Sequence, residues 1–218
     1  MRLHDKLEGI HRLDPDVLVV PECACPQVLL RRVPGLAPAS MVWSGRSPSK
    51  GLAVISFGCW RVATSEEHDA RGLTTIAATV RGPFDFRLAA VWAVAGAVEP
   101  LPRALERLGP FLSAGPSAVA GDFNDTLAPR GPVLHQLGLL GFDSAYHRLR
   151  RVSFGGEREP TLYLRRREGL RRHRDLVFLD ATLAASLRAV EVGSKEFWSR
   201  ASDHVPVVAV IDASALVP

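Results

Sequence analysis

Acidic, amide and imidazole side chains gather at the ends of three apolar stretches. Asp16-Val17-Leu18-Val19-Val20 runs into Pro21-Glu22, Ser117-Ala118-Val119-Ala120 runs through Gly121 into Asp122-Phe123-Asn124-Asp125, and Ser202-Asp203-His204 precedes Val205-Pro206-Val207-Val208-Ala209-Val210-Ile211. Short runs of this kind read as buried strands, so each strand carries polar groups at one end. On a strand-like path Asp122 and Asn124, two apart, point the same way; an Asp-x-Asn after a strand is as often an Asx-turn or a helix cap. Carboxylate and amide oxygens suit a hard divalent cation such as magnesium, which takes few protein ligands and completes its shell with water and phosphate. Two other chemistries are excluded. Ser202, Asp203 and His204 are consecutive, so their side chains diverge instead of forming a nucleophile-base relay, and no Gly-x-Ser-x-Gly is present. Asp122-x-Asn124 lacks the glycine and distal glutamate of a calcium-binding loop.

The intervening segments supply the elements that must hold these ends together. Leu3, Leu7, Ile10 and Leu13 recur at helical spacing and predict an amphipathic helix that stops at Asp14-Pro15. The Pro- and Arg-rich segment after Glu22 reads as a loop or short helix up to Ala39. Met41–Ser44 and Gly51–Phe57 read as paired strands around a turn at 45–50, and Leu73–Val80 and Phe86–Val94 as further strands. Pro102–Leu112 predicts a helix crossing back to the Ser117 strand, Pro132–Leu139 another helix, and Pro160–Leu164 and Arg174–Leu179 two more strands. Strand-rich halves covered by helices fit two packed sheets with helices outside.

The 218 residues suffice for one sizeable domain, 1–218, with no linker, repeat or low-complexity tract to divide it. No apolar run is long enough to span a membrane, and Met1-Arg2-Leu3-His4-Asp5-Lys6 is unlike a signal peptide, so a cytoplasmic protein without membrane partners, and a monomer, is expected. Cys23, Cys25 and Cys59 are odd in number and form neither a disulfide framework nor a zinc-like spacing. The net charge of +4 comes almost entirely from arginine, and residues 146–174 hold ten arginines against three glutamates. Such a concentration can neutralise phosphates on a polyanion; it is also what a solvated loop looks like in an arginine-rich protein.

Taken in order, Asp16–Glu22, Gly121–Asp125 and Ser202–Val208 resemble the signature segments of the endonuclease/exonuclease/phosphatase superfamily, metal-dependent phosphodiesterases and phosphatases. Arg174–Leu179 is similar to the family strand whose aspartate pairs with the catalytic histidine, and the resemblance spans Leu13 to Ile211. It implies an α/β fold, a four-layer αββα sandwich of two mixed β-sheets flanked by helices. It also implies metal-dependent hydrolysis of phosphodiester bonds, with Mg2+ or Mn2+ as cofactor and nucleic acid or another phosphoester as partner. Glu22 is then the metal ligand, and Asp203 reaches the metal directly or through water. Asp122 orients or deprotonates the attacking water, Asn124 hydrogen-bonds a phosphate oxygen, His204 stabilises charge at phosphorus, and Asp175 holds the His204 ring.

Lys50 lies in a Ser-Pro-Ser-Lys-Gly run similar to a family loop near the phosphate, and reads equally as a turn residue. Trp92 can stack on a base or sugar or pack in the core, Arg165 and Arg174 are the candidate phosphate contacts, and His173 is expected on the solvent or substrate side. The chain departs from the family twice. Ala90-Val91-Trp92-Ala93 stands where many members present a histidine or tyrosine. Members also have one more strand before the opening helix, ending in an asparagine; taken as complete, this chain is expected to leave that position empty. Two alternatives stay in play: a phosphomonoesterase acting on a small metabolite, which would use the same core and against which only the Arg-rich segment tips the reading toward nucleic acid, and a weakened relative that only binds nucleic acid or protein, which the two departures favour.

Overall fold

The apolar run at Asp16–Val20 becomes the edge of a small sheet. In the computed structural model, which describes residues 3–67, 75–164 and 171–216, the chain opens with a 3-10 turn, Leu3–Lys6, and α1, Leu7–Leu13. The helix stops where expected, at Asp14 in the left-handed region (φ 43°). Then come β1 (Val17–Cys23), α2 (Pro26–Arg32), β2 (Ser40–Ser47) and β3 (Lys50–Ser56), with β3 between β1 and β2 in an antiparallel sheet. Val19 lies opposite Val54 and Val20 opposite Ala53, but the register breaks between Val20 and Cys23. The strand therefore does not end before Glu22. It runs past it through a bulge in which Glu22 adopts φ 58°, a conformation that turns one side chain out of the pleat's alternation.

The larger sheet is assembled from β4 (Arg61–Thr64), β5 (Thr75–Arg81), β6 (Phe86–Trp92), β7 (Ser117–Asp122), β8 (Asp143–Ser144) and β11 (Asp175–Leu179), in the order β4-β5-β6-β7-β11-β8. Its parallel pair, β6 with β7, is joined by the crossover helix α3 (Leu101–Leu112). The remaining elements are α4 (Pro132–Leu139), α5 (Ala145–Arg150), the paired short strands β9 (Leu162–Tyr163) and β10 (Arg171–Arg172), α6 (Ala181–Ala185), β12 (Leu187–Val192), α7 (Lys195–Trp198) and β13 (Val207–Ile211). Residues Leu73 and Arg165, which the sequence placed in or beside strands, lie outside the described residues.

β1 packs across β7 and β6, and β13 across β11, so the layer opposite the large sheet is shared by two antiparallel pieces, β2-β3-β1 and β12-β13. Among the described residues the six-stranded sheet is mixed, and the two pieces opposite it pair antiparallel. Among the described residues β1 and β13 each have a strand partner on one side alone. α3 covers β5 and β6, α6 covers β7 and β11, and α4 packs on α3. On the opposite side Ile10, Leu29, Val33 and Leu36 bury against Ala53 and Ile55 of β3. The result is helix, sheet, sheet, helix. No helix among the described residues is long and apolar enough to cross a membrane.

Small residues let the two central strands approach where the chemistry lies. Ala90 faces Ala120, Val91 faces Gly121 and Trp92 faces Asp122 across β6 and β7. Gly121 has φ 142°, and a Cβ there would stand 2.0 Å from the Val91 carbonyl oxygen, so no other residue fits immediately before Asp122.

Candidate active site

Asp122 ends β7, Asp175 begins β11, and the antiparallel register sets them opposite each other. The start of β11 is fixed by Thr161, whose Oγ1 accepts the backbone N–H groups of Arg174 (2.8 Å) and Asp175 (2.9 Å). The same segment holds the Ser202–His204 loop. Tyr163 N–H donates to the Asp203 carbonyl (2.8 Å), Val205 N–H donates to the Thr161 carbonyl (2.8 Å), and the His204 N–H is capped by Ser202 Oγ (2.9 Å). β9, short as it is, thus aligns both members of the His204–Asp175 pair.

His204 Nδ1 stands 2.8 Å from Asp175 Oδ2. One oxygen from each of Asp122 and Asp175 and a ring nitrogen of His204 lie within 4.8 Å of one another. Burial works against protonation of His204, but the hydrogen bond and charge of Asp175, helped by Asp122 and Asp203, outweigh it and raise the ring to about 9. Burial, followed by the charge of Asp175, pushes the Asp122 carboxyl up to about 6 against the pull of His204, the Asn124 N–H and Arg174. At neutral pH the cluster therefore holds an imidazolium beside an ionised Asp122.

Asn124 does not continue the strand. The chain leaves the sheet at Phe123 into a 3-10 turn, Asn124–Thr126, and Asn124 takes φ 47°. Its N–H donates to Asp122 Oδ1 (2.9 Å), while Nδ2 donates to Asp122 Oδ2 (3.0 Å) and the Ala93 carbonyl (2.7 Å). The Asx-turn alternative is the one realised: with both amide hydrogens committed, Asn124 orients Asp122 instead of offering them to a phosphate.

Glu22, Asp122, Asp175, Asp203 and His204 line one cavity of about 190 Å³, together with Lys6; Leu18, Val20, Trp198 and Val205 form its apolar wall. Lys50 pairs with Glu22 (Nζ to Oε1 2.9 Å) and its Nζ lies 5.3 Å from the centroid of the Trp92 ring. Trp92 itself is half-buried against the main core, so core packing and the lysine contact share its surface. Arg174 is not part of the cavity wall; it pairs with Asp125. Arg165 lies outside the described residues.

Among solved structures, the chain is similar to the 3′ phosphatase NExo from Neisseria, whose structure is bound to a product DNA hairpin, with a TM-score of 0.68 and 21% identity over 97% of this chain and 96% of that one. It is similar to the endonuclease domain of TRAS1, a telomere-specific non-LTR retrotransposon, with a TM-score of 0.69 and 15% identity over 96% of this chain and 91% of that one. A third likeness is to an endonuclease/exonuclease/phosphatase from Beutenbergia cavernae, with a TM-score of 0.56 and 18% identity over 93% of this chain and 64% of that one. The chain has the endonuclease/exonuclease/phosphatase fold. No protein-family model and no curated protein matches it by sequence.

The cavity's donor chemistry fits a divalent cation. Glu22 and Asp203 are carboxylates on the cavity wall and suit a hard cation; Asp122, Asp175 and His204 add three donor atoms within 4.8 Å of one another, of which the Asp122 and Asp175 oxygens also accept from Asn124 and His204. The Lys50 contact is no obstacle, since the Lys50 and Glu22 side chains are 52% and 37% exposed and an exposed pair of this kind contributes about 1 kcal/mol or less.

His147 and His173 stand elsewhere. His147 is buried between Ser144 Oγ (2.7 Å) and Glu157 Oε1 (2.9 Å). His173, expected on the solvent or substrate side, instead points inward: its Nδ1 lies 2.6 Å from the Glu159 carbonyl and its ring 4.4 Å from that of Tyr146. The tertiary pull of that aromatic cluster is not visible in a local pattern. One cavity residue, Lys6, escaped the sequence reading, hidden in a helix-start pattern; the signal that could have found it is the rarity of lysine, since all but three of the 27 basic residues are arginine.

Proposed function

We propose that the protein hydrolyses phosphoester bonds in nucleic acid, phosphodiesters foremost, in a reaction that depends on magnesium or manganese. The observation that carries this reading is the convergence of Glu22, Asp122, Asp175, Asp203 and His204 on one cavity from four separate parts of the chain. Asp122, ionised at neutral pH and fixed by Asn124, accepts a proton from water as the water oxygen bonds to phosphorus and the ester oxygen departs. His204, kept cationic by Asp175, donates to a phosphate oxygen and stabilises the charge that builds there. Glu22 and Asp203 would hold the divalent cation, which when bound neutralises charge on the phosphoryl group.

The nucleic-acid substrate is supported by exposed Arg151, Arg158, Arg171 and Arg172, although Arg148 and Arg150 are already paired with Asp143 and Glu159. NExo, the 3′ phosphatase bound to a DNA hairpin, favours a terminal phosphate as a second substrate on the same site. The test is turnover of DNA oligonucleotides carrying either an internal phosphodiester or a terminal phosphate, with magnesium, manganese or chelator. Metal-dependent release of product that is lost in His204→Ala supports the reading; salt-sensitive binding without turnover supports a binding protein instead.

A further inference from the structure

The 3-10 turn ends at Lys6, and Lys6 is also the residue that caps α1. Two contacts seat that helix. Ile10 is buried in the outer core, and Gly9 lies so close to Trp198 that an added Cβ would be 2.4 Å from the ring. Trp198 in turn accepts the Ala201 N–H (3.0 Å) and Ser202 N–H (3.0 Å) at the start of the Ser202–His204 loop. The packing that positions His204 therefore also delivers Lys6 to the cavity wall beside Glu22, Asp175 and Asp203. Burial lowers the Lys6 ammonium's affinity for its proton, and the charges of Asp175, Asp203 and Glu22 oppose that loss.

Four carboxylates around one cavity would repel a phosphate. Against Glu22, Asp122, Asp175 and Asp203 the cavity wall sets His204 and Lys6, and Lys50, outside the wall, pairs with Glu22, so the two lysines offset two of the four negative charges. A chain that otherwise uses arginine places two of its three lysines here. An ammonium is a compact point charge with three donors, able to face carboxylate and phosphate oxygens at once.

We propose that Lys6 is a phosphate-binding residue of the cleft, donating from its ammonium group to a non-bridging phosphate oxygen alongside Lys50. This rests on the phosphoester reading above, and its test is built to separate the two. Binding of inorganic phosphate in chelator, and separately of Mn2+, is measured by calorimetry for wild type, Lys6→Met and Lys6→Arg, with urea denaturation to confirm folding and turnover of a phosphorylated oligonucleotide alongside. Lys6→Met is expected to bind phosphate about 10- to 100-fold more weakly, with a raised KM and no loss of Mn2+ affinity, and Lys6→Arg to recover part of the phosphate affinity. If Lys6→Met does not fold, Lys6→Gln against Lys6→Arg gives the same ratio.

Phosphate affinity within twofold of wild type in the neutral variant overturns the proposal, as does wild type that binds no phosphate. Tighter Mn2+ binding with unchanged phosphate affinity also overturns it, because Lys6 is then only a counter-ion of the carboxylates. Lys6-dependent phosphate binding without wild-type turnover sinks the hydrolase reading and leaves Lys6 as an anion ligand.

Discussion

Asp122 and Asp175 stand directly opposite one another across β7 and β11, two like charges in adjoining positions at the end of a sheet. Such a pair is destabilising on its own, by up to about 1 kcal/mol. It persists because Asn124 donates twice to one carboxylate and His204 donates to the other.

Replacing Asp122 with asparagine should therefore remove the like-charge repulsion, cost one of the two Asn124 hydrogen bonds, and abolish turnover. The Asp122 carboxyl holds its proton more tightly in the folded protein, to about 6, than in the unfolded chain, where it titrates near the ordinary 3.8. The folded form thus loses relative stability as pH rises from about 4 to about 6 and is level above. Urea denaturation of wild type against Asp122→Asn across that window is expected to show a difference that changes by about 3 kcal/mol and then flattens. A difference independent of pH would contradict the assignment.

His204 carries the opposite sign of benefit. Its folded value, about 9, lies above the unfolded 6.5, so the stabilisation is fully present below about 6.5 and disappears as pH rises through about 9. In chelator, NMR titration of the His204 ring should give a midpoint near about 9 in wild type, and Asp175→Asn should bring it down toward the ordinary value. Turnover in Asp175→Asn is expected to fall by about 100- to 10,000-fold.

Glu22 and Lys50 should part company when a cation binds. Calorimetry with Mn2+ is expected to show Glu22→Gln weakened by about tenfold or more, the cost of losing one charged ligand, and Lys50→Ala within about threefold of wild type, since the ion pair it removes is an exposed one.

Gly121→Ala places a methyl group into the Val91 carbonyl at φ 142°. Strain and overlap together predict a loss of about 2–4 kcal/mol in urea denaturation, with β6 and β7 pushed apart just ahead of Asp122.

Periodicity revealed most elements around the site, and α4 occupies the 132–139 span read as a helix after the Asp122 loop. Side-chain pattern failed where the backbone departs from regular structure. Nothing in Val20-Pro21-Glu22 announces that the strand continues through a bulge, because the left-handed Glu22 is imposed by pairing with β3. Asp122 and Asn124 were legible as a pair, but whether they lie side by side on a strand or fold back in a turn depends on Ala93, thirty-one residues away. β12 repeats its burial every three residues, with Leu187 and Val190 buried and Arg188 and Glu191 exposed, so it shows none of the two-residue alternation that marks a strand. The site residues themselves were legible because each sits at the end of an apolar run. Lys6 sits at the end of none.

The central claim, that these groups form one metal-dependent phosphoester-cleaving site, is tested most directly by the turnover of an oligonucleotide phosphoester in magnesium by wild type, Glu22→Gln and His204→Ala at pH 7.5. The account predicts turnover by wild type that chelator stops and that falls by about 100-fold or more in both variants. Wild-type rates that survive in chelator, or that His204→Ala matches, would contradict it.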